Sequence, residues 1–229
     1  MLQMAAASGT TDIVATPHAD LEYEFQPDLI RERVDELTAA TGGKPCIHEG
    51  CDFHLTFDNI QDAIANPRKY TIGHKSYLMV EFSDMLIFPN TAEIFERMRN
   101  AGIYPVITHP ERNPLLQQRM PALERWVQEG SYIQVTAQSL FGRFGKTARS
   151  FSLELLRRNL VHFIASDAHD TKHRPPVLKD AFQWVAEEYG EELAQRLFVD
   201  NPRATIEGAP LTTVPVTEVP SRSWYQFWR

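Results

Sequence analysis

The chain has 229 residues, 23 Lys and Arg against 30 Asp and Glu, and 43% hydrophobic residues. That length carries one large domain or two small ones with a full core, and the composition excludes a disordered, collagen-like or membrane-spanning protein. A net charge of −7 with no long basic run argues against a nucleic-acid partner, and the lack of a long apolar run argues against membrane insertion.

Cys46 and Cys51 are too few for a disulfide framework, and their spacing fits neither a zinc knuckle nor a redox dithiol; they read as small buried apolar groups in a reducing compartment. The segment from Met1 to Gly9 lacks the basic flank and apolar stretch of a signal peptide, so the expected location is cytoplasmic.

In chain order, short β-branched runs are predicted as strands at Ile13–Thr16, Pro45–Cys51, Tyr77–Phe82, Tyr104–Thr108, Tyr132–Thr136 and Val161–Ser166. Helix-period segments lie between them. Pro27 opens one with Leu29, Ile30, Val34 and Leu37 on one face, and Gly42-Gly43 ends it. Phe57–Ala65 stops at Asn66-Pro67, and Pro89–Arg99 stops before Gly102. Leu115–Glu129 carries Pro121 and is predicted to bend or split there. Phe151–Arg158 and Val177–Tyr189 complete the set. This strand–helix alternation favours a parallel α/β sheet. No glycine-rich phosphate loop follows any strand, which points to a barrel over a doubly wound nucleotide-binding sheet. Residues 1–211 read as one domain, and residues 212–229, with Trp224, Tyr225, Phe227 and Trp228, read as a tail packing on the surface or on a neighbouring subunit.

Polar residues of metal-binding type stand at the carboxyl ends of the runs: His18, Asp52, Glu81, His109, Asp167 and His169. In a parallel barrel these ends open on one face, where active sites are built. Three imidazoles and three carboxylates there form a ligand set for divalent ions. His48, His54, His74, His162 and His173 read as structural or surface residues.

The blocks ATPH at 15–18, GCDFHL at 50–55, VEFSD at 80–84, THPERN at 108–113, QVTAQSLFGRFG at 134–145, HFIASDAHDTKHRPP at 162–176 and NPRA at 201–204 give the chain a family resemblance. It resembles the PHP (polymerase and histidinol phosphatase) superfamily, specifically its bacterial protein-tyrosine phosphatases of capsule and exopolysaccharide regulation. The resemblance implies a distorted parallel (β/α)7-type barrel holding up to three metal ions, usually manganese, with iron or zinc also accepted. It implies one site of Asp52, Glu81 and His109, a second sharing Asp52 and using Asp167, and a third using His18 and His169. Arg112 and Arg174 resemble the family's catalytic, phosphate-binding pair, and the implied partner is the phosphotyrosyl tail of a bacterial tyrosine kinase. An oligomer is compatible with it.

A cysteine nucleophile is excluded directly. Cysteine phosphatases need C-x5-R, and the residues six after Cys46 and Cys51 are Asp52 and Phe57. The chain departs from the family at its start, where a D-x-H-x-H strand is expected; a barrel of six strands and weak activity follow as expectations, with an upstream start as the preferred explanation. It departs also at Asp52, where the family commonly has Glu. A small-molecule phosphatase of the histidinol-phosphate type and a non-catalytic phosphotyrosine-binding module are the alternatives.

Overall fold

The structure, a computed structural model, describes residues 1–217. Each predicted strand run holds a strand, and a further short strand follows beyond the end of each of the first two. The Ile13–Thr16 run is β1 (Asp12–Ala15), followed past Thr16-Pro17 by β2 (His18–Ala19); the Pro45–Cys51 run holds β3 (Cys46–Glu49), followed past Gly50-Cys51 by β4 (Asp52–His54). Gly50 is required at that break because a Cβ there would lie 2.7 Å from Val14 Cγ1 and 3.2 Å from Thr16 Cγ2. The four remaining strands are β5 (Tyr77–Glu81), β6 (Tyr104–Thr108), β7 (Tyr132–Thr136) and β8 (Phe163–Ala165).

All strand pairs are parallel. β1 pairs with β3, and a six-stranded sheet runs β2-β4-β5-β6-β7-β8. Along the six-stranded sheet the spatial order follows the chain order, which is the order of an α/β barrel wall and not of a doubly wound sheet that reverses at a switch point. Both faces are covered. Phe53, Leu78, Val80, Ile107, Ile133 and Val135 pack under the helices, while Tyr77, Val106 and Phe163 form a smaller cluster on the opposite face. Two-sided burial is why these strands read as continuous apolar runs.

The helices follow their signals closely. α1 spans Leu2–Ala7, and α2 spans Pro27–Thr41 with Pro27 in its first turn and Gly42 capping it in the left-handed conformation at φ 64°. The buried stripe of α2 is narrower than predicted: Ile30 and Val34 are half-buried, whereas Leu29 and Leu37 are exposed. α3 occupies Phe57–Ala65 and is capped by Thr56, whose side chain accepts from Asn59 N at 3.2 Å. α4 covers Thr91–Asn100. The predicted split near Pro121 is present, as a 3₁₀ turn at Leu116–Gln118 followed by α5 at Met120–Gln128 with Pro121 in its first turn.

α6 (Ala137–Leu140) and α7 (Gly145–Arg157) come next, so the helix expected from Phe151 begins two turns earlier. α8 spans Lys179–Tyr189, and α9 (Glu191–Gln195) runs through a π-helical turn at Arg196–Asp200 into α10 (Asn201–Glu207). Beyond it the chain returns to the end of α7, where Thr217 N donates to Arg158 O at 2.9 Å and Asn159 Nδ2 to Pro215 O at 3.2 Å. The aromatic group Trp224 to Trp228 lies outside the described residues. No helix among them is long and apolar enough to cross a membrane.

Candidate metal centre and anion site

Strand geometry assembles the centre. Side chains alternate along a strand, so Asp52 and His54, two apart on β4, share one face, with Phe53 directed into the core. On β5 the same rule sets Glu81 on the face of Tyr77 and Met79. Register does the rest: His18 of β2 lies opposite Asp52, and His54 lies opposite Glu81. The donor atoms of His18, Asp52, His54 and Glu81 all fall within 4.8 Å of one another.

The closest approaches are His18 Nδ1 to Asp52 Oδ2 at 3.2 Å and His54 Nε2 to Glu81 Oε2 at 3.1 Å. His18 Nδ1 is 3.6 Å from Glu81 Oε2, and His109 Nε2 approaches the other oxygen, Oε1, at 3.6 Å. Asp52 Oδ1, His54 Nε2 and Glu81 Oε2 are nonetheless buried without a hydrogen-bond partner. Buried polar atoms are normally satisfied. These three unpaired atoms, one nitrogen and two carboxylate oxygens, cluster with His18, and the set of two imidazoles and two carboxylates fits a divalent cation.

Electrostatics support that fit. Burial, then the neighbouring Glu81 carboxylate, pushes Asp52 up to about 9. For Glu81 burial acts upward too, but the adjoining His54 and Asp52 side chains and the nearby His109 outweigh it and hold the carboxyl below its usual range. Two carboxylates this close share one proton, which a cation would displace. His109 is lowered mainly by burial, and so offers a neutral ring.

Asp167 joins a different group. Its Oδ2 accepts from both Arg112 Nη1 and Arg174 Nη2. Arg112 also stacks on Phe144, with Cζ 4.3 Å from the ring centroid, and Arg174 lies 5.8 Å from the same ring. His169 sits beside Asp167, its Nδ1 bonded to the Asp167 backbone oxygen at 3.0 Å and 3.9 Å from Oδ1. His109 and Asp167 both adopt positive φ, 32° and 49°, a costly conformation for side-chain-bearing residues that is typical of functional loops. Glu81, Asp84, His109, Arg112 and Asn113 border one cleft, so one carboxylate and one imidazole of the centre face the same space as the Arg112 guanidinium.

Two residues of the His109-Pro-Glu-Arg-Asn stretch hold that cleft in shape. Glu111 is fully buried and accepts from Thr136 N at 2.9 Å and Ser139 Oγ at 2.7 Å, and burial raises its carboxyl to about 7. Asn113 donates to Phe82 O and Ser83 O, both at 3.1 Å, and accepts from Leu115 N and Leu116 N. Neither stands out in the sequence, because polar residues of loops are usually solvated. His54 is the third residue the sequence reading did not place here; its signal was the two-residue spacing from Asp52.

The other histidines and the cysteines lie apart. His162 is buried in the sheet, and His48 Nε2 contacts Asp12 Oδ1 at 2.8 Å. Of the two cysteines expected to be buried, Cys51 is and Cys46 is not, because Cys46 opens β3 at the rim.

The chain is similar to the putative tyrosine-protein phosphatase CapC of Staphylococcus aureus, at 32% identity over 98% of this chain and 89% of that protein. It is 29% identical to the tyrosine-protein phosphatase YwqE of Bacillus subtilis, covering 100% of this chain and 91% of the other. The structures of YwqE from Bacillus subtilis and CpsB from Streptococcus pneumoniae, described as unique metal-dependent tyrosine phosphatases, include a chain that superposes with a TM-score of 0.86 at 29% identity, over 96% of this chain and 91% of its own length. The capsular polysaccharide synthesis CpsB/CapC model matches residues 1–207, and the chain belongs to that family.

Proposed function

We propose that the chain is a metal-dependent phosphomonoesterase acting on phosphotyrosine in the tail of a bacterial tyrosine kinase of capsule and exopolysaccharide synthesis, in the cytoplasm. The observation that carries the reading is the meeting of two guanidiniums on one carboxylate oxygen beside a group of imidazoles and carboxylates. An anion site adjoins a cation site. A phosphoryl dianion can take the place of Asp167 on the planar forks of Arg112 and Arg174, which suit phosphate oxygens better than an ammonium would.

The resemblance assigns Asp52, Glu81 and His109 to one ion, Asp52 and Asp167 to another, and His18 and His169 to a third, with manganese the expected metal. Such ions polarise phosphoryl oxygens and lower the pKa of water. Arg112 and Arg174 orient the phosphoryl group and take up its growing negative charge. A water oxygen attacks phosphorus, the P–O bond to the tyrosyl oxygen breaks, and the water proton is left to solvent or to the departing phenolate.

The test is hydrolysis of a phosphotyrosyl peptide by the stripped and manganese-reconstituted protein, with histidinol phosphate in parallel. Manganese-dependent peptide turnover that exceeds the small-ester rate is expected. Faster turnover of histidinol phosphate would overturn the tyrosine assignment, and tight peptide binding without turnover would make the chain a binding module.

A further inference from the structure

We propose that Asp12, Cys46 and His48 form a separate cation site, at the amino-terminal ends of β1 and β3, which takes one divalent ion of zinc chemistry with a thiolate among its ligands. The site is independent of the candidate metal centre described above and of the phosphotyrosine reading. Asp12 stands six residues ahead of His18, and Cys46 six ahead of Asp52. At about 3.3 Å per extended residue, that puts up to roughly 20 Å of chain between the two sites.

Strand pairing builds the cluster. β1 and β3 run parallel, with Asp12 opposite Cys46 and Val14 opposite His48. Cys46 and His48, two apart on β3, share the face turned away from buried Ile47. One donor atom each from Asp12, Cys46 and His48 lies within 4.8 Å of the other two. A tetrahedral zinc ion with ligands at about 2.0–2.3 Å has ligand–ligand edges of roughly 3.3–3.8 Å, so small side-chain rotations close the three around an ion and leave a fourth position for water. The carboxylate is already oriented: Thr11 Oγ1 donates to Asp12 Oδ2 at 2.8 Å, and His48 Nε2 meets Asp12 Oδ1 at 2.8 Å. The His48 bond, with a smaller contribution from the charge of Arg203, holds Asp12 below the usual carboxylate range.

A surface pair of histidine and aspartate has no use for a thiol. Cysteine is among the residue types most often buried, yet Cys46 is exposed beside that pair. Thiolate, imidazole and carboxylate together select ions of the zinc kind over manganese, which prefers oxygen. Coordination displaces the thiol proton to solvent. The ion also has a structural task. β1 and β3 form a two-stranded sheet separate from the six-stranded wall, and two strands by themselves hold weakly. An ion bridging residues 12 and 46 closes the long segment between them and clips the pair together.

The test uses the full chain, reduced and stripped of metal, titrated with Co²⁺ as the probe and followed by the near-ultraviolet sulfur-to-cobalt charge-transfer band that only a thiolate ligand produces. In wild type the band is expected to saturate at one thiolate-bound Co²⁺ per chain and to be lost to Zn²⁺. Cys46→Ser should abolish it, and His48→Ala or Asp12→Asn should weaken binding of that ion more than tenfold. Cys51→Ala and His18→Ala should leave it in place, since Cys51 is buried and His18 belongs to the other centre. A second readout needs no variant: alkylation of Cys46 by iodoacetamide should slow more than tenfold when Zn²⁺ is added to wild type. No band in wild type, a band that survives Cys46→Ser, loss of the band in folded His18→Ala, or alkylation indifferent to Zn²⁺ would overturn the inference. Phosphotyrosyl-peptide turnover in the same samples is a separate axis: its absence beside an intact band would refute the phosphatase reading and leave this site standing.

Discussion

His162 offers a prediction whose size follows from its surroundings. The ring is 4% exposed, accepts a hydrogen bond from Ile133 N at 3.1 Å, and packs edge-on against Tyr132 with centroids 5.0 Å apart. Burial, partly opposed by a backbone hydrogen bond, lowers it from 6.5 to about 4. Above pH 6.5 the imidazole is neutral whether the chain is folded or not, and the stability it contributes is fully present. As pH falls towards 4 the unfolded chain binds a proton that the folded chain refuses, so stability is lost across that window. By about pH 4.5 the loss amounts to about 2–3 kcal/mol, since each unit of difference is worth about 1.4 kcal/mol. Urea unfolding of the stripped protein at about pH 7.5 and 4.5, for wild type and His162→Gln, isolates this contribution. The variant should lose about 1–2 kcal/mol at the higher pH from packing and the missing hydrogen bond, and match or exceed wild type at the lower. Parallel stability profiles for the two proteins would refute the reasoning.

Three other perturbations test separate parts of the structure. Arg112→Lys or Arg174→Lys should cut phosphotyrosyl-peptide turnover about 100-fold with metal content unchanged, because an ammonium cannot reproduce the fork; turnover within a factor of three of wild type would remove that arginine from the anion site. Gly50→Ala should cost about 1–3 kcal/mol in urea unfolding, since the stiff Val14 side chain stands 2.7 Å from the new methyl, and an unchanged midpoint would show that the two strands separate freely at their breaks. Glu111→Ala should destabilise by about 2–4 kcal/mol by leaving Thr136 N–H and Ser139 Oγ–H without their acceptor, and Glu111→Gln, which keeps one carbonyl oxygen, should cost less; equal losses would assign the effect to charge and not to the hydrogen bonds.

Local signals carried the fold a long way. Thr56 as cap and Asn66-Pro67 as stop bracket α3 at the predicted residues, and Pro27 and Gly42 do the same for α2. The helix expected from Phe151 opens instead at Gly145, whose φ of 91° is free to a glycine. The short strands β2 and β4, past the breaks at Thr16-Pro17 and Gly50-Cys51, lie beyond the predicted runs, since two or three polar-ended residues carry too little pattern to read as a strand. At the site, strand ends were legible because polar residues stand out after β-branched ones. His54 was not, because alternation within β4 matters only once Asp52 is known to face the centre. The pairing of Arg112 and Arg174 with Asp167 was not legible either: the contact joins two loops, one of them 55 residues from its partner, and no periodicity reports it.

The agreement of sheet order with chain order has a consequence for biosynthesis. The four donors of the candidate ion centre lie on three adjacent strands, β2, β4 and β5, and the last of them is residue 81. The guanidinium pair comes from residues 112 and 174, far later in translation. A chain emerging from the ribosome at about 5–20 residues per second therefore presents all the ion-binding donors seconds before the anion-binding half exists. From β5 onward each strand pairs with the one made just before it, so loop closures stay short and the wall can grow by accretion from its early strands. Divalent ions available during synthesis can be captured by the nascent amino-terminal half, and the later strands then close around a centre that is already loaded.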